Sequence, residues 1–277
     1  MAKVILVSGC SSGIGRELAL QLAAQGHTVF AGARDPQSLQ DCRSRNLLPV
    51  ALDVNDAEQL ADVVATITRH SGYLDCLINN AGYGAMGPLV EMPLAQVRAQ
   101  FETNTFAPLA LCQHCLPLLL KSRRPVVVNI GSAAGVLATP FSGAYCASKS
   151  ALHTLSEVLR MELLPFGIHV MTVYPGAVAS AFGDNAKEQL RDTFSAQSRY
   201  RSLADAVEGR AKISSASPTT AGQFAALLIA QIASRKPPAE IGIGYGNRKM
   251  RYLKQLLPLA LKDFLLRRTF KLNHLSP

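Results

Sequence analysis

No apolar run in this sequence of 277 residues approaches the roughly 18–20 residues of a membrane-spanning helix, so no transmembrane segment is expected. A basic segment followed by an apolar stretch and a small-residue cleavage site is also missing from the start. Met1 leads almost directly into the strand-like run Val4-Ile5-Leu6-Val7, which predicts a cytoplasmic protein. Charge is sparse, at 17% Asp, Glu, Lys and Arg against 48% hydrophobic residues, and that balance excludes a disordered chain. No internal repeat or low-complexity tract is present. A second cysteine pair at zinc spacing is lacking as well. Of the cysteines at 10, 42, 76, 112, 115 and 146, only Cys112-Gln113-His114-Cys115 has a suggestive spacing, inside a helix-like, leucine-rich stretch. A closed zinc site needs four ligands, so these thiols read as small core residues and no metal is expected. The length fits a domain large enough to fold without disulfide bonds.

Acidic residues are the scarcer sign, 19 against 28 Lys and Arg, for a net charge of +9. The location of the excess decides its meaning. Residues 248–277 hold Arg248, Lys249, Arg251, Lys254, Lys262, Arg267, Arg268 and Lys271 against Asp263 alone, a net +7 that leaves +2 for residues 1–247. The body is nearly neutral and the tail is basic. The tail has no interleaved stacking aromatics, so no nucleic-acid partner is expected.

Apolar, β-rich runs recur at Lys3–Ser8, His27–Ala33, Leu48–Leu52, Asp75–Asn79, Pro125–Ile130 and His169–Tyr174, with a weaker run at Ala239–Gly244. Helical spacing fills Gly15–Gln25, Asp56–His70, Pro93–Lys121 and Tyr145–Pro165 between them. Continuous apolar strands alternating with helices predict an α/β fold with a doubly wound parallel sheet, the Rossmann type. Residues 1–247 form the expected catalytic domain. Within it, residues 181–218 are polar and aperiodic and read as a substrate-side insertion; residues 248–277 read as a basic amphipathic helical extension.

The first strand runs into Ser8-Gly9-Cys10-Ser11-Ser12-Gly13-Ile14-Gly15 and then a helix. Glycines there let the backbone approach a diphosphate, and the helix N-terminus offers unpaired N–H groups to it. The second strand ends at Ala33-Arg34-Asp35. An acid at the strand end would bind a ribose diol and repel a 2′-phosphate, whereas Arg34 can pair with that phosphate. NADP(H) is therefore expected over NAD(H), with Asp35 read as a cap of the turn begun by Pro36.

Tyr145 and Lys149 are four residues apart in a helical stretch, which places phenol and ammonium on one face. A nearby cation lowers a phenol's pKa. Thirteen residues before Tyr145, Ser132 follows the end of an apolar strand, at the edge where such sheets bind ligands. These features, together with Asp53-Val54, Asn79-Asn80-Ala81-Gly82, Asn104, Asn129-Ile130-Gly131-Ser132 and Pro175-Gly176, resemble the short-chain dehydrogenase/reductase (SDR) family over roughly residues 3–180.

The resemblance implies roles. Tyr145 is similar to the family's general acid/base, Lys149 to the residue that lowers its pKa and binds the nicotinamide ribose, and Ser132 to the serine that positions the substrate oxygen. Asn104 matches an asparagine that holds a water in a proton relay. Gly9, Ser11, Ser12, Gly13, Ile14 and Gly15 match the diphosphate loop. Asp53 and Val54 match the adenine contact, and Asn80, Ala81 and Gly82 match the segment beside the cofactor. Pro175, Gly176 and Val178 match the segment that packs on the nicotinamide, with Ser180 where relatives often have threonine. Ser8 replaces the usual threonine of the glycine motif, and Cys146 a commoner small residue. The stretch Asn80–Pro88 resembles the retinol/17β-hydroxysteroid dehydrogenase-like branch.

Leu253, Leu256, Leu257, Ala260, Leu261, Phe264 and Leu265 recur at helical spacing in the tail, and Pro258 should break or kink the helix. Two readings of this stripe stay open: a membrane surface, or packing on the body or a second subunit. The two are compatible if the tail covers the substrate entrance. The resemblance then implies an NADPH-dependent reductase of lipophilic carbonyl compounds, peripheral on a membrane if the tail docks there, and a homodimer or homotetramer. A 3-ketoacyl reductase and a non-catalytic NADP(H)-binding sensor are the alternatives.

Overall fold

The computed structural model describes residues 2–180, 182, 183, 186, 190, 194, 195, 197–212 and 219–275. Seven strands form one parallel sheet: β1 Val4–Ser8, β2 Thr28–Ala33, β3 Leu47–Ala51, β4 Cys76–Asn79, β5 Val126–Ile130, β6 His169–Pro175 and β7 Glu240–Ile243. Their spatial order is β3-β2-β1-β4-β5-β6-β7. Each expected strand, including the weak last one, is present within a residue or two of its expected bounds. Strand side chains alternate between faces. Ile5 and Val7 pack with Leu18, Leu22, Phe224 and Leu228 on one side of the sheet. Leu6 and Phe30 pack with Leu60, Ile67, Leu111 and Leu118 on the other. Burying one such side chain contributes about 1.5–3 kcal/mol, so both faces stabilise the sheet. The helices responsible are α1 Gly13–Ala24, α2 Ala57–His70, α4 Ala107–Leu119 and α7 Ala221–Ile232. Chain order reverses between β1 and β4, so their carboxyl ends border the crevice where a doubly wound sheet binds ligands.

Two elements depart from expectation, and the break in the tail meets it. The stretch 93–121 is not one helix. It divides into α3 Leu94–Phe101, a π-helical turn at Glu102–Phe106 and α4, with Asn104 in the turn. Such turns widen the backbone and re-aim a side chain. The aperiodic insertion is described only in part, yet it includes helix α6, Ala204–Lys212, after α5 Gly143–Leu163. The tail is two helices, α8 Asn247–Leu256 and α9 Leu259–Thr269. Pro258 separates them because the residue before a proline is driven out of the helical region; Leu257 has ψ 132°.

Beyond that break the chain folds back onto the body. Phe270 is buried with Phe141, Leu203 and Val207, and Leu266, Leu272 and Leu275 pack against them. The rings of Phe141 and Phe270 meet edge to face at 6.1 Å. The apolar stripe itself is split: Leu253 and Leu257 are half-buried, while Tyr252, Leu256, Leu259, Leu261, Phe264 and Leu265 are exposed. The side chains of Arg248, Lys249 and Arg251 lie outside the described residues. No helix among the described residues is long and apolar enough to cross a membrane. Cys112 and Cys115 are buried in α4, and burial pushes the Cys112 thiol up to about 11.

Candidate functional site

The loop after β1 turns at Gly9, whose φ of +71° suits glycine. A Cβ there would lie 2.8 Å from the Ala81 Cα. Gly15 sits behind it, where a Cβ would collide with the Gly9 carbonyl and the Asn80 amide. Asn80 Nδ2 donates to the carbonyls of Ser8 at 2.9 Å and Gly9 at 3.0 Å. Ser8 Oγ accepts from the backbone N–H groups of Asn80 and Ala81, both at 3.1 Å. The serine hydroxyl thus clips the ends of β1 and β4 together. The Ser12 side chain makes no cap bond to α1, which leaves first-turn N–H groups for an anion.

A cleft of about 1230 Å³ opens over this loop. Gly9, Ser11, Ser12, Gly13, Ile14, Arg34, Asp53, Val54, Asn80, Ala81, Gly82, Ser132, Tyr145, Lys149, Pro175, Gly176, Val178 and Ser180 all line it. Arg34 is exposed directly after β2, and Asp35 accepts from the Gln37 N–H at 2.9 Å as the cap of the next turn. These residues fit a dinucleotide: a cradle that a Cβ would fill, uncapped helix N–H groups, and a guanidinium at the strand end.

Gly15 and Asn104 do not reach the cleft wall. Gly15 acts by the close approach just described. Asn104 is fully buried. Its Oδ1 accepts from the Tyr83 N–H at 3.1 Å, and its Nδ2 donates to Tyr83 O at 2.9 Å and Ser148 Oγ at 3.1 Å. A Cβ on Gly82 would lie 2.9 Å from Asn104 Oδ1 and 3.3 Å from Lys149 Nζ, so both residues border the same glycine.

Tyr145 and Lys149 share a face of α5, and Ser132 follows β5. Ser132 Oγ accepts from the Ala134 N–H at 3.1 Å, and Ser132 and Tyr145 line the same cleft. Lys149 Nζ donates to Ile130 O at 2.8 Å. Burial pushes the Lys149 ammonium down to about 8. The Tyr145 phenol is raised, chiefly by burial, against the opposing effects of the Ser132 hydrogen bond and the Arg210 charge. The expectation that Lys149 lowers this phenol is thus not what sets it here. Arg210 is the cation whose field acts on it, and desolvation outweighs that field.

Sequence reasoning missed His153 and Arg210. His153 lies four residues after Lys149 on the same helix face, a spacing that was legible. Its Nε2 accepts the Ser132 N–H at 3.2 Å, and its ring meets Tyr174 at 4.6 Å. Burial and the Lys149 charge hold it down at about 3, so the ring stays neutral and can accept. No local pattern points to Arg210.

The sequence model for short chain dehydrogenases matches residues 3–191. An uncharacterized oxidoreductase, YbbO, of Escherichia coli strain K12 is 39% identical over 195 residues, covering 69% of this chain and 72% of that protein. A 3-ketodihydrosphingosine reductase of Bacteroides thetaiotaomicron is 38% identical over 186 residues, covering 66% of each. A short-chain dehydrogenase structure from Streptomyces avermitilis superposes with a TM-score of 0.79 at 29% identity, over 99% of this chain and 98% of that one. An NADPH-bound carbonyl reductase from chicken fatty liver gives 0.62 at 30% identity, over 65% and 82%.

Proposed function

The chain belongs to the short-chain dehydrogenase family, and from that premise we propose that it reduces lipophilic carbonyl compounds to alcohols with NADPH. The observation that carries the reading is that Ser132, Tyr145 and Lys149 line one wall of a cleft that the glycine-rich loop after β1 also lines. The bound nicotinamide nucleotide supplies the hydride. Gly9, Gly13 and the first turn of α1 hold its diphosphate, Arg34 its 2′-phosphate, Asp53 and Val54 its adenine, and Pro175, Gly176, Val178 and Ser180 its nicotinamide end. The Ser132 hydroxyl and the Tyr145 phenol hold the substrate oxygen, and Tyr145 delivers its proton there. Lys149 and Asn104 lie on the route by which that proton is replaced.

Met86, Phe182, Met250 and Phe270 line the cleft beside Tyr145, which supports an apolar substrate body. The Bacteroides relative, by its name, reduces a ketodihydrosphingosine. The test is NADPH and NADH oxidation with retinal, steroid ketones, long-chain aldehydes and acetoacetyl thioesters. Arg34→Ala is expected to lower the NADPH-over-NADH preference about 10-fold to 100-fold, the loss of a charge-assisted pair. An unchanged preference sinks the NADPH assignment, and no turnover of any carbonyl sinks the reductase.

The tail carries a second part of the reading. Leu256, Leu259 and Phe264 are exposed beside Lys254, Arg267 and Arg268, a combination suited to an anionic membrane surface. Replacing those three apolar residues by serine is expected to weaken co-sedimentation with anionic liposomes at least about 100-fold, since three apolar side chains at roughly 1 kcal/mol or more each amount to about 3 kcal/mol. Unchanged sedimentation removes the membrane role. Exposed Phe106, Leu120, Val158 and Met161 flank or lie on α4 and α5, which supports subunit pairing through those helices.

A further inference from the structure

Arg210 sits in α6, inside a segment whose sequence offers no motif, yet only 9% of its surface is exposed. Its Nε donates to Thr139 Oγ1 at 2.9 Å. Thr139 lies in the segment between Ser132 and Tyr145. The guanidinium is close enough to Cys146 and Tyr145 for its charge to act on both. Arg210 and Thr139 both line the cleft with Ser132 and Tyr145. The ion pair seen among the described residues, Arg16 with Asp41, is elsewhere, and no described carboxylate faces Arg210.

A guanidinium has five N–H donors and does not give up its charge. A buried charge is normally paired, because an unpaired one is costly. Here, among the described residues, the Thr139 hydroxyl takes the Nε donor, and Arg210 lines the cleft. The apolar wall around it, Met86, Phe182, Met250 and Phe270, suits a hydrocarbon chain and supplies no acceptor.

We propose that Arg210 binds an anionic oxygen group of the substrate, so that the preferred carbonyl compounds are amphiphilic oxo acids: an apolar chain, a carbonyl held by Ser132 and Tyr145, and a carboxylate paired with Arg210. This specificity rests on the reductase reading above. It adds what that reading lacks, a reason for a buried guanidinium in the same cleft as Met86, Phe182, Met250 and Phe270. A site built to pair a polar group rejects analogues that lack it more strongly than an apolar pocket rejects a size change.

The experiment uses the full chain with NADPH and a series of oxo fatty acids, with the ketone at increasing distance from the carboxylate, each beside its methyl ester. The wild type is expected to favour at least one acid over its ester by tenfold or more in kcat/KM. Arg210→Met is expected to collapse that ratio at least tenfold, and Arg210→Lys to keep more of it. Laurate, which cannot be reduced, is expected to bind the NADPH complex at least tenfold more weakly in Arg210→Met. An acid-to-ester ratio near one throughout the wild-type series overturns the proposal, whatever the variants do, and leaves the reductase standing. Arg210-dependent laurate binding without turnover of any carbonyl supports the anion site and overturns the reductase instead.

Discussion

Tyr145→Phe is expected to lower kcat for carbonyl reduction about a thousandfold, within the roughly 10²–10⁴ span of general acid catalysis, while NADPH affinity changes little. The variant removes one oxygen and keeps the ring. That ring is buried and packs 5.4 Å from Phe182, so the packing survives. What is lost is the hydroxyl that lines the cleft with Ser132, and with it the proposed proton donor. NADPH oxidation with a saturating long-chain aldehyde reads the turnover, and nucleotide fluorescence reads the binding. A variant that turns over near the wild-type rate would mean that another group supplies the proton.

Gly15→Ala is expected to weaken NADPH binding about 100-fold, some 2.7 kcal/mol at 1.36 kcal/mol per tenfold, and to lower the thermal midpoint. Gly15 does not touch the cleft. The added methyl would press on the Gly9 carbonyl and the Asn80 amide. Both are fixed, because Asn80 bonds the Ser8 and Gly9 carbonyls and Ser8 Oγ bonds the Asn80 and Ala81 N–H groups. A side chain cannot swing away to make room, so the backbone must move. The same movement breaks the clip between β1 and β4 and displaces the N–H groups that face the diphosphate. Titration of the nucleotide and a thermal melt check the two effects together. Wild-type affinity in the alanine variant would show that the close approach around Gly15 is not what shapes the loop.

Much of the site was legible because its parts are local. Gly9 to Gly15 is one turn between a strand and a helix, and Tyr145 and Lys149 are one helical turn apart. Ser132 follows directly on a strand whose apolar run marks it as buried. Arg34 and Asp35 were separable by the same logic, since Asp35 precedes a proline and caps the turn that proline starts. The stretch 93–121 misled because its apolar spacing is helical on both sides of Asn104. The π turn that re-aims this residue is imposed by its bonds to Tyr83 and Ser148, residues from other segments.

The amino-acid sequence by itself determined the alternation of strands and helices, the glycine-rich turn after the first strand, the spacing of Ser132, Tyr145 and Lys149, and the concentration of positive charge in the tail. Periodicity and short-range spacing encode all of these, because they depend on neighbours along the chain. Only the tertiary structure decided what surrounds the Tyr145 hydroxyl. It packed Phe270 on Phe141 and into the cleft wall, brought Arg210 to Thr139, and turned Lys149 toward Ile130. A buried phenol's proton affinity depends on desolvation and on charges within a few ångströms in space. Those are fixed by which distant segments pack together, a quantity that no local spacing carries.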